Sequence, residues 1–183
     1  ESTEDYNDTI LRNYTDKFEV ETYKNGLVLI KKILNEKDIH HEHLELLKTE
    51  ASRLKGGGQI KEVLLSKDKA TIIYSSNYSE YKKLQPQSSL SKNDIDNYWG
   101  TTNTLKKMLV GGPVRLMKKL EFLNEVEITI KRKSKTYSVN VRKKELEKFV
   151  GKSFDVIKVG WNSNFIDPYV YSKTGRDYFF KKF

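Results

Sequence analysis

Two neighbouring stretches of this chain constrain its fold more than any other feature. Residues 125–132 alternate Val126, Ile128 and Ile130 with Glu127, Thr129 and Lys131, and residues 136–142 alternate Tyr137, Val139 and Val141 with Ser138, Asn140 and Arg142. A period of two sends successive side chains to opposite faces of a strand, so each stretch has one apolar and one polar face. Such a pair reads as an antiparallel hairpin with one side solvated, and its apolar side needs a cover of helices.

The rest of the chain supplies both kinds of element. Residues 17–34 read as a first hairpin around Asn25-Gly26, because both residues accept positive φ. Asp38 is placed to cap a helix whose Leu44, Leu47, Ala51 and Leu54 recur at helical spacing, with Gly56-Gly57-Gly58 as its stop. Strands are expected at 59–65 and 70–76, joined by Lys67-Asp68. Residues 85–91, rich in Pro, Gln and Ser, are the best candidate for a subdomain boundary.

Ser91 and Asp94 then form a capping-box pattern ahead of Ile95, Tyr98, Trp99, Thr102, Leu105 and Leu109. Gly111-Gly112 is expected to end that helix and Pro113 to start another, carrying Met117, Leu120 and Leu123. After the second hairpin come a short helix at 143–150 stopped by Gly151, a strand at 154–161, an extended Tyr169-Val170-Tyr171 and a terminal helix or turn from Thr174. The expectation is an α+β fold: helices packed on a twisted antiparallel sheet, in the approximate order ββαββ-ααββαβ plus a terminal helix or turn. Residues 1–16 read as an acidic lead-in and 17–183 as one α+β domain, with 85–91 as its possible internal boundary.

Composition narrows the chemistry. With no Cys among 183 residues, cysteine-ligated zinc sites, disulfide frameworks and cysteine nucleophiles are excluded. The longest strongly apolar run, Leu27 to Ile30, is followed by Lys31 and Lys32, far short of the roughly 20 apolar residues a membrane helix needs. A chain that begins with Glu1 suggests a removed upstream segment, and the expectation drawn from it is a secreted or lipid-anchored bacterial protein outside the cytoplasm.

The 34 basic and 25 acidic side chains are distributed unevenly. Residues 1–50 carry 7 basic and 12 acidic groups, whereas residues 101–150 carry 13 and 5. That asymmetry favours an anionic partner, such as an anionic polymer or a membrane surface; a protein partner is also open. Lys131, Arg132, Lys133 and Lys135 at the tip of the second hairpin, continued by Arg142, Lys143 and Lys144, are the anion-binding candidates. The polar face of the hairpin offers no aromatic ring on which a base could stack.

Other constellations are weaker. His40 and His43, at i and i+3, could share a metal, but spacing nominates no third ligand. Gly111-Gly112-Pro113, ahead of an expected helix start and near Arg115, Lys118 and Lys119, could receive an anion. The aromatic tail from Trp161 to Phe183 reads as closure of a core. No catalytic constellation and no cofactor signature assembles. The reading is a non-enzymatic binding or interaction module outside the cytoplasm. The alternatives are a cytoplasmic nucleic-acid-binding protein using the basic hairpin and a metal-dependent hydrolase.

Overall fold

A computed structural model describes residues 18–22, 28–32, 36–132 and 134–183. The chain divides into two compact units between Glu42 and His43. In the first, β1 (Phe18–Thr22) pairs antiparallel with β2 (Val28–Lys32), with Val20 opposite Ile30. The two strands expected around Asn25-Gly26 are present; the turn itself lies outside the described residues, as does the acidic lead-in. Helix α1 (Glu36–Ser52) begins two residues before Asp38, which sits in its first turn rather than at its cap.

The second unit is built on a four-stranded sheet in the order β3-β4-β5-β6. Its strands are β3 (Ile60–Ser66), β4 (Lys69–Tyr74), β5 (Glu125–Arg132) and β6 (Lys135–Arg142). β3 and β4 are antiparallel around Lys67, whose φ is 54°, and β5 and β6 are antiparallel as their alternation requires. The central pair, β4 and β5, is parallel, so the sheet is mixed and not the wholly antiparallel one expected. The reason is topological. The chain leaves β4 at one end and returns through three helices before entering β5, and a crossover of that length delivers a parallel neighbour.

Register makes the core legible. Leu65, Ala70, Val126 and Val141 form one row across the four strands, and Val63, Ile72, Ile128 and Val139 form the next. Ala70, Ile72, Val126, Ile128 and Val141 are fully buried beneath α4 (Thr102–Lys119) and its neighbours. The opposite face is polar. There Lys69 reaches Glu125 at 3.2 Å and Glu127 at 2.8 Å, while Arg142 Nε donates to Glu125 at 2.8 Å and Asn140 Nδ2 donates to it at 2.9 Å.

The helices depart from expectation at three places. α2 (Tyr78–Leu84) is a helix between the expected strand and the expected boundary, where Asn77 caps it by accepting from Glu80 N at 3.0 Å and Glu80 accepts from Ser76 N at 2.9 Å. α3 (Lys92–Asn97) starts at the expected Ser91/Asp94 capping box but stops early, and the chain turns at Gly100, where φ is +56°. Helix α4 then runs unbroken through Gly111, Gly112 and Pro113, so the expected Gly-Gly-Pro corner is absent. Pro113 has no N–H for the Leu109 carbonyl, which would ordinarily break a helix. Burial overrides it: Leu109, Val110, Gly112, Pro113, Val114 and Leu116 are all buried along this span.

α5 (Lys143–Val150) ends as expected at Gly151, with φ +74°. The strand expected at 154–161 is instead α6 (Phe154–Val159), capped by Ser153, with Phe154 and Ile157 buried at helical spacing and Val159 92% exposed. Residues Asn162–Tyr171 form a π-helical segment containing Pro168, in place of the expected extended Tyr169-Val170-Tyr171. α7 (Lys173–Lys182), capped by Ser172, closes the chain near the expected position. Phe165 and Phe179 are fully buried, so the aromatic tail does close the core.

Candidate functional site: a cationic cleft at the end of the second hairpin

The buried face of β5 and β6 extends beyond the helices that cover it. Past Ile130 the strands continue as Arg132 and Lys135, which are direct cross-strand partners, and Lys131 lies beside them opposite Thr136. Arg132 shares the face of Ile130, so its side chain turns under the helical layer and its guanidinium lies 5.9 Å from the Trp99 ring centroid. A cleft of about 850 Å³ opens here. Its cationic wall is Lys131, Arg132 and Lys135, and its opposite wall is polar, with Asn77, Asp96, Asn97, Thr101 and Thr102.

Trp99 forms the base of the site and is itself held from several sides. Its ring stands edge-on to Tyr74, centroids 5.7 Å apart, and to Tyr98 at 5.2 Å. Its indole N–H donates to Gln59 Oε1 at 3.3 Å, and Arg132 donates to the same oxygen. Arg132 Nε is buried with no hydrogen-bond partner among the described residues. Burial disfavours the charged guanidinium and lowers its pKa, against the opposing field of Asp96. Burial also raises the pKa of Tyr74, whose hydroxyl donates to the Lys55 carbonyl at 3.1 Å.

Charge is unbalanced in the cleft. Lys92 pairs with Asp96, the only carboxylate among the lining residues, and among the described residues no ion pair includes Lys131, Arg132 or Lys135. Like charges directly opposite one another on a hairpin repel. An anion in the cleft relieves that repulsion and supplies acceptors for the amines.

The expected basic cluster is divided by the fold. Lys131, Arg132 and Lys135 come together, and Lys133 lies outside the described residues. Arg142 stands at the other end of β6, paired with Glu125 and with Glu145, so it does not join the cations at the hairpin tip that it continues in sequence. The hairpin's short loop fixes this: each step away from the tip on one strand is matched by a step on the other. Lys143 lies 5.2 Å from the Phe154 ring, with its pKa lowered by burial, and Lys144 is exposed on α5.

The cleft also holds Tyr78, Tyr137 and Trp99. The hairpin's polar face lacks aromatics, as the alternation indicated, but the aromatics stand on its other face and on α2. The Asn77/Glu80 capping signal was the clue to that wall. His40 and His43 both lie on α1; His43 stacks on Phe122 with ring centroids 3.8 Å apart, and no group of three or more potential metal ligands occurs among the described residues. Gly111 and Gly112 are mid-helix, where their amides are committed to the helix and offer nothing to an anion. No helix among the described residues is long and apolar enough to cross a membrane. Comparison with protein-family models, with curated proteins and with solved structures finds no match to this chain.

Proposed function

We propose that this chain is a binding module whose ligand is an anionic polymer, seated in the cleft at the end of the β5–β6 hairpin. The observation that carries the reading is the Arg132–Lys135 cross-strand pair, flanked by Lys131, with none of the three in an ion pair among the described residues and one carboxylate, Asp96, in the lining. A cleft of about 850 Å³ has room for one or two units of such a polymer. Binding through these cations displaces counterions, so affinity falls steeply with salt.

A second reading has its own observation. Tyr78 and Tyr137 stand in the cleft beside the cations, and aromatic rings next to a basic groove are the ordinary platform for single-stranded nucleic acid. The experiment is fluorescence anisotropy with labelled polyphosphate and labelled single-stranded DNA, each at two salt concentrations, on the full chain and on the K131E/K135E variant. Salt-sensitive binding that is lost in the variant supports the module. Binding unaffected by the reversal, or no binding to either polymer, overturns it. Replacing Tyr78 with Ala separates the two readings: only a base-stacking site loses DNA while keeping polyphosphate.

A further inference from the structure

A second groove lies on the far side of α4, between that helix and residues 166–171, with a volume of about 360 Å³. Three cations line it, Lys55, Lys107 and Arg115, and no carboxylate does. None of the three belongs to an ion pair among the described residues, whereas Lys106, next to Lys107, pairs with Asp177 at 3.0 Å. Lys107 Nζ instead lies 5.0 Å from the Tyr171 ring centroid. The remaining lining is largely apolar, including Met108, Ile166 and Val170.

Helix geometry puts two of the charges on one side of α4. Lys107, Gly111 and Arg115 are spaced by four, so they share one face, each about 6 Å along the axis from the next. Gly111 puts no side chain of its own between the two cationic residues, and Val170 packs across it. The whole of α4 carries five basic residues and no acid across its 18 positions. A cationic mouth over an apolar floor complements one kind of ligand, a molecule with an anionic head and a short apolar body.

We propose that this groove binds an anionic amphiphile, its head held by Lys107 and Arg115 and its apolar part laid against Met108, Ile166 and Val170. The volume is at the lower end of small-molecule sites, which run from about 300 to 1,000 Å³, so one head and a short chain fill it. A carboxylate and a phosphate present the same paired acceptors to an arginine fork. The site is separate from the hairpin cleft and does not depend on it.

The test is isothermal titration of the full chain with octyl phosphate, octanoate and inorganic phosphate. Saturable binding of at least one octyl ligand is expected, with inorganic phosphate weaker than octyl phosphate by about tenfold or more, the difference the apolar floor supplies. Comparing octyl phosphate with octanoate identifies the preferred head. K107Q/R115Q is expected to weaken binding by about tenfold or more, and K131E/K135E to leave it unchanged. Gly111→Leu, which fills the groove without removing a charge, gives the same loss by a different route. No saturable binding of either octyl ligand overturns the proposal. So does inorganic phosphate binding as tightly as octyl phosphate, or a K107Q/R115Q variant that binds as the parent does.

Discussion

A Cβ on Gly56 would stand 2.6 Å from Cζ2 of Trp99, closer than two such atoms can approach. Gly56 also has φ +75°, and its N–H donates to the Tyr98 hydroxyl at 3.0 Å. The turn after α1 therefore requires glycine twice over, once for conformation and once for room. Since Trp99 is the base on which Arg132 lies, the same glycine positions the cationic cleft. Gly56→Ala is expected to cost about 2–4 kcal/mol, from the left-handed backbone and the displaced ring together. Denaturant unfolding measures the cost. Anisotropy measures a parallel loss of polyanion affinity, and a variant of parental stability and affinity would contradict both links.

On the open face of the sheet, Glu125 is held by Arg142, Asn140 and Lys69, and its pKa is lowered to about 2, chiefly by the Arg142 hydrogen bond. Its ordinary value is 4.5, so the folded state favours the carboxylate more than the unfolded state does. The stabilisation is complete above that ordinary value and is lost as pH falls through about 2. Glu125→Gln is expected to cost about 1–2 kcal/mol at neutral pH, a range reduced for solvent screening of a partly exposed cluster. It should also flatten the acid limb of the stability profile between pH 4.5 and 2. Thermal melts of the two proteins across that interval test it; parallel acid limbs would show that Glu125 is not the group responsible.

Much of this fold was legible wherever local and tertiary preferences agree. Val126, Ile128 and Ile130 face the core because alternation and burial demand the same thing, and the Ser91/Asp94 box and Gly151 stop are local events that no distant contact contradicts. The failures fall where burial outweighs local signals. Pro113 and its two glycines lie inside α4 because that span is packed against the sheet, and 154–161 reads as a β-branched run until Ser153 caps it and Phe154 and Ile157 turn inward. The site was half legible. Lys131, Arg132 and Lys135 stand out as a cluster, but Trp99, Tyr78 and Asn77 join them only through the crossover from β4 to β5, which no spacing in the sequence encodes.

The two mid-helix glycines of α4 should respond differently to the same substitution. A Cβ on Gly111 would meet Val170 at 3.6 Å, an ordinary contact, whereas one on Gly112 would meet Ile128 Cδ1 at 3.1 Å and Met108 Sδ at 3.3 Å. Alanine in a helix interior is favoured over glycine by about 1 kcal/mol. Gly111→Ala should realise most of that gain and raise the melting temperature. Gly112→Ala should fall below it, because the ends of two core side chains must shift. Melting temperatures in the reverse order would show that the sheet does not press on α4 as closely as the geometry indicates.

Arg176 is only 5% exposed, yet among the described residues it has no carboxylate partner. Its Nη1 donates to the Val170 carbonyl at 2.7 Å and to the Tyr171 carbonyl at 2.9 Å, the last oxygens of the π-helical segment. A buried cation at the carbonyl end of a helical segment is stabilised by the same partial charges that would otherwise be left unsatisfied. Arg176 thus fixes the strand of backbone that forms one wall of the groove beside α4. Arg176→Met removes both hydrogen bonds while keeping the apolar stem, and it should cost about 2–4 kcal/mol, in the range for breaking a buried polar network. Arg176→Lys should recover part of the loss, since one ammonium can still reach one carbonyl. Hydrogen exchange is the discriminating measurement, because loosening should concentrate at residues 166–172. Uniform acceleration across the sheet would assign Arg176 a general part in stability and none in holding that wall.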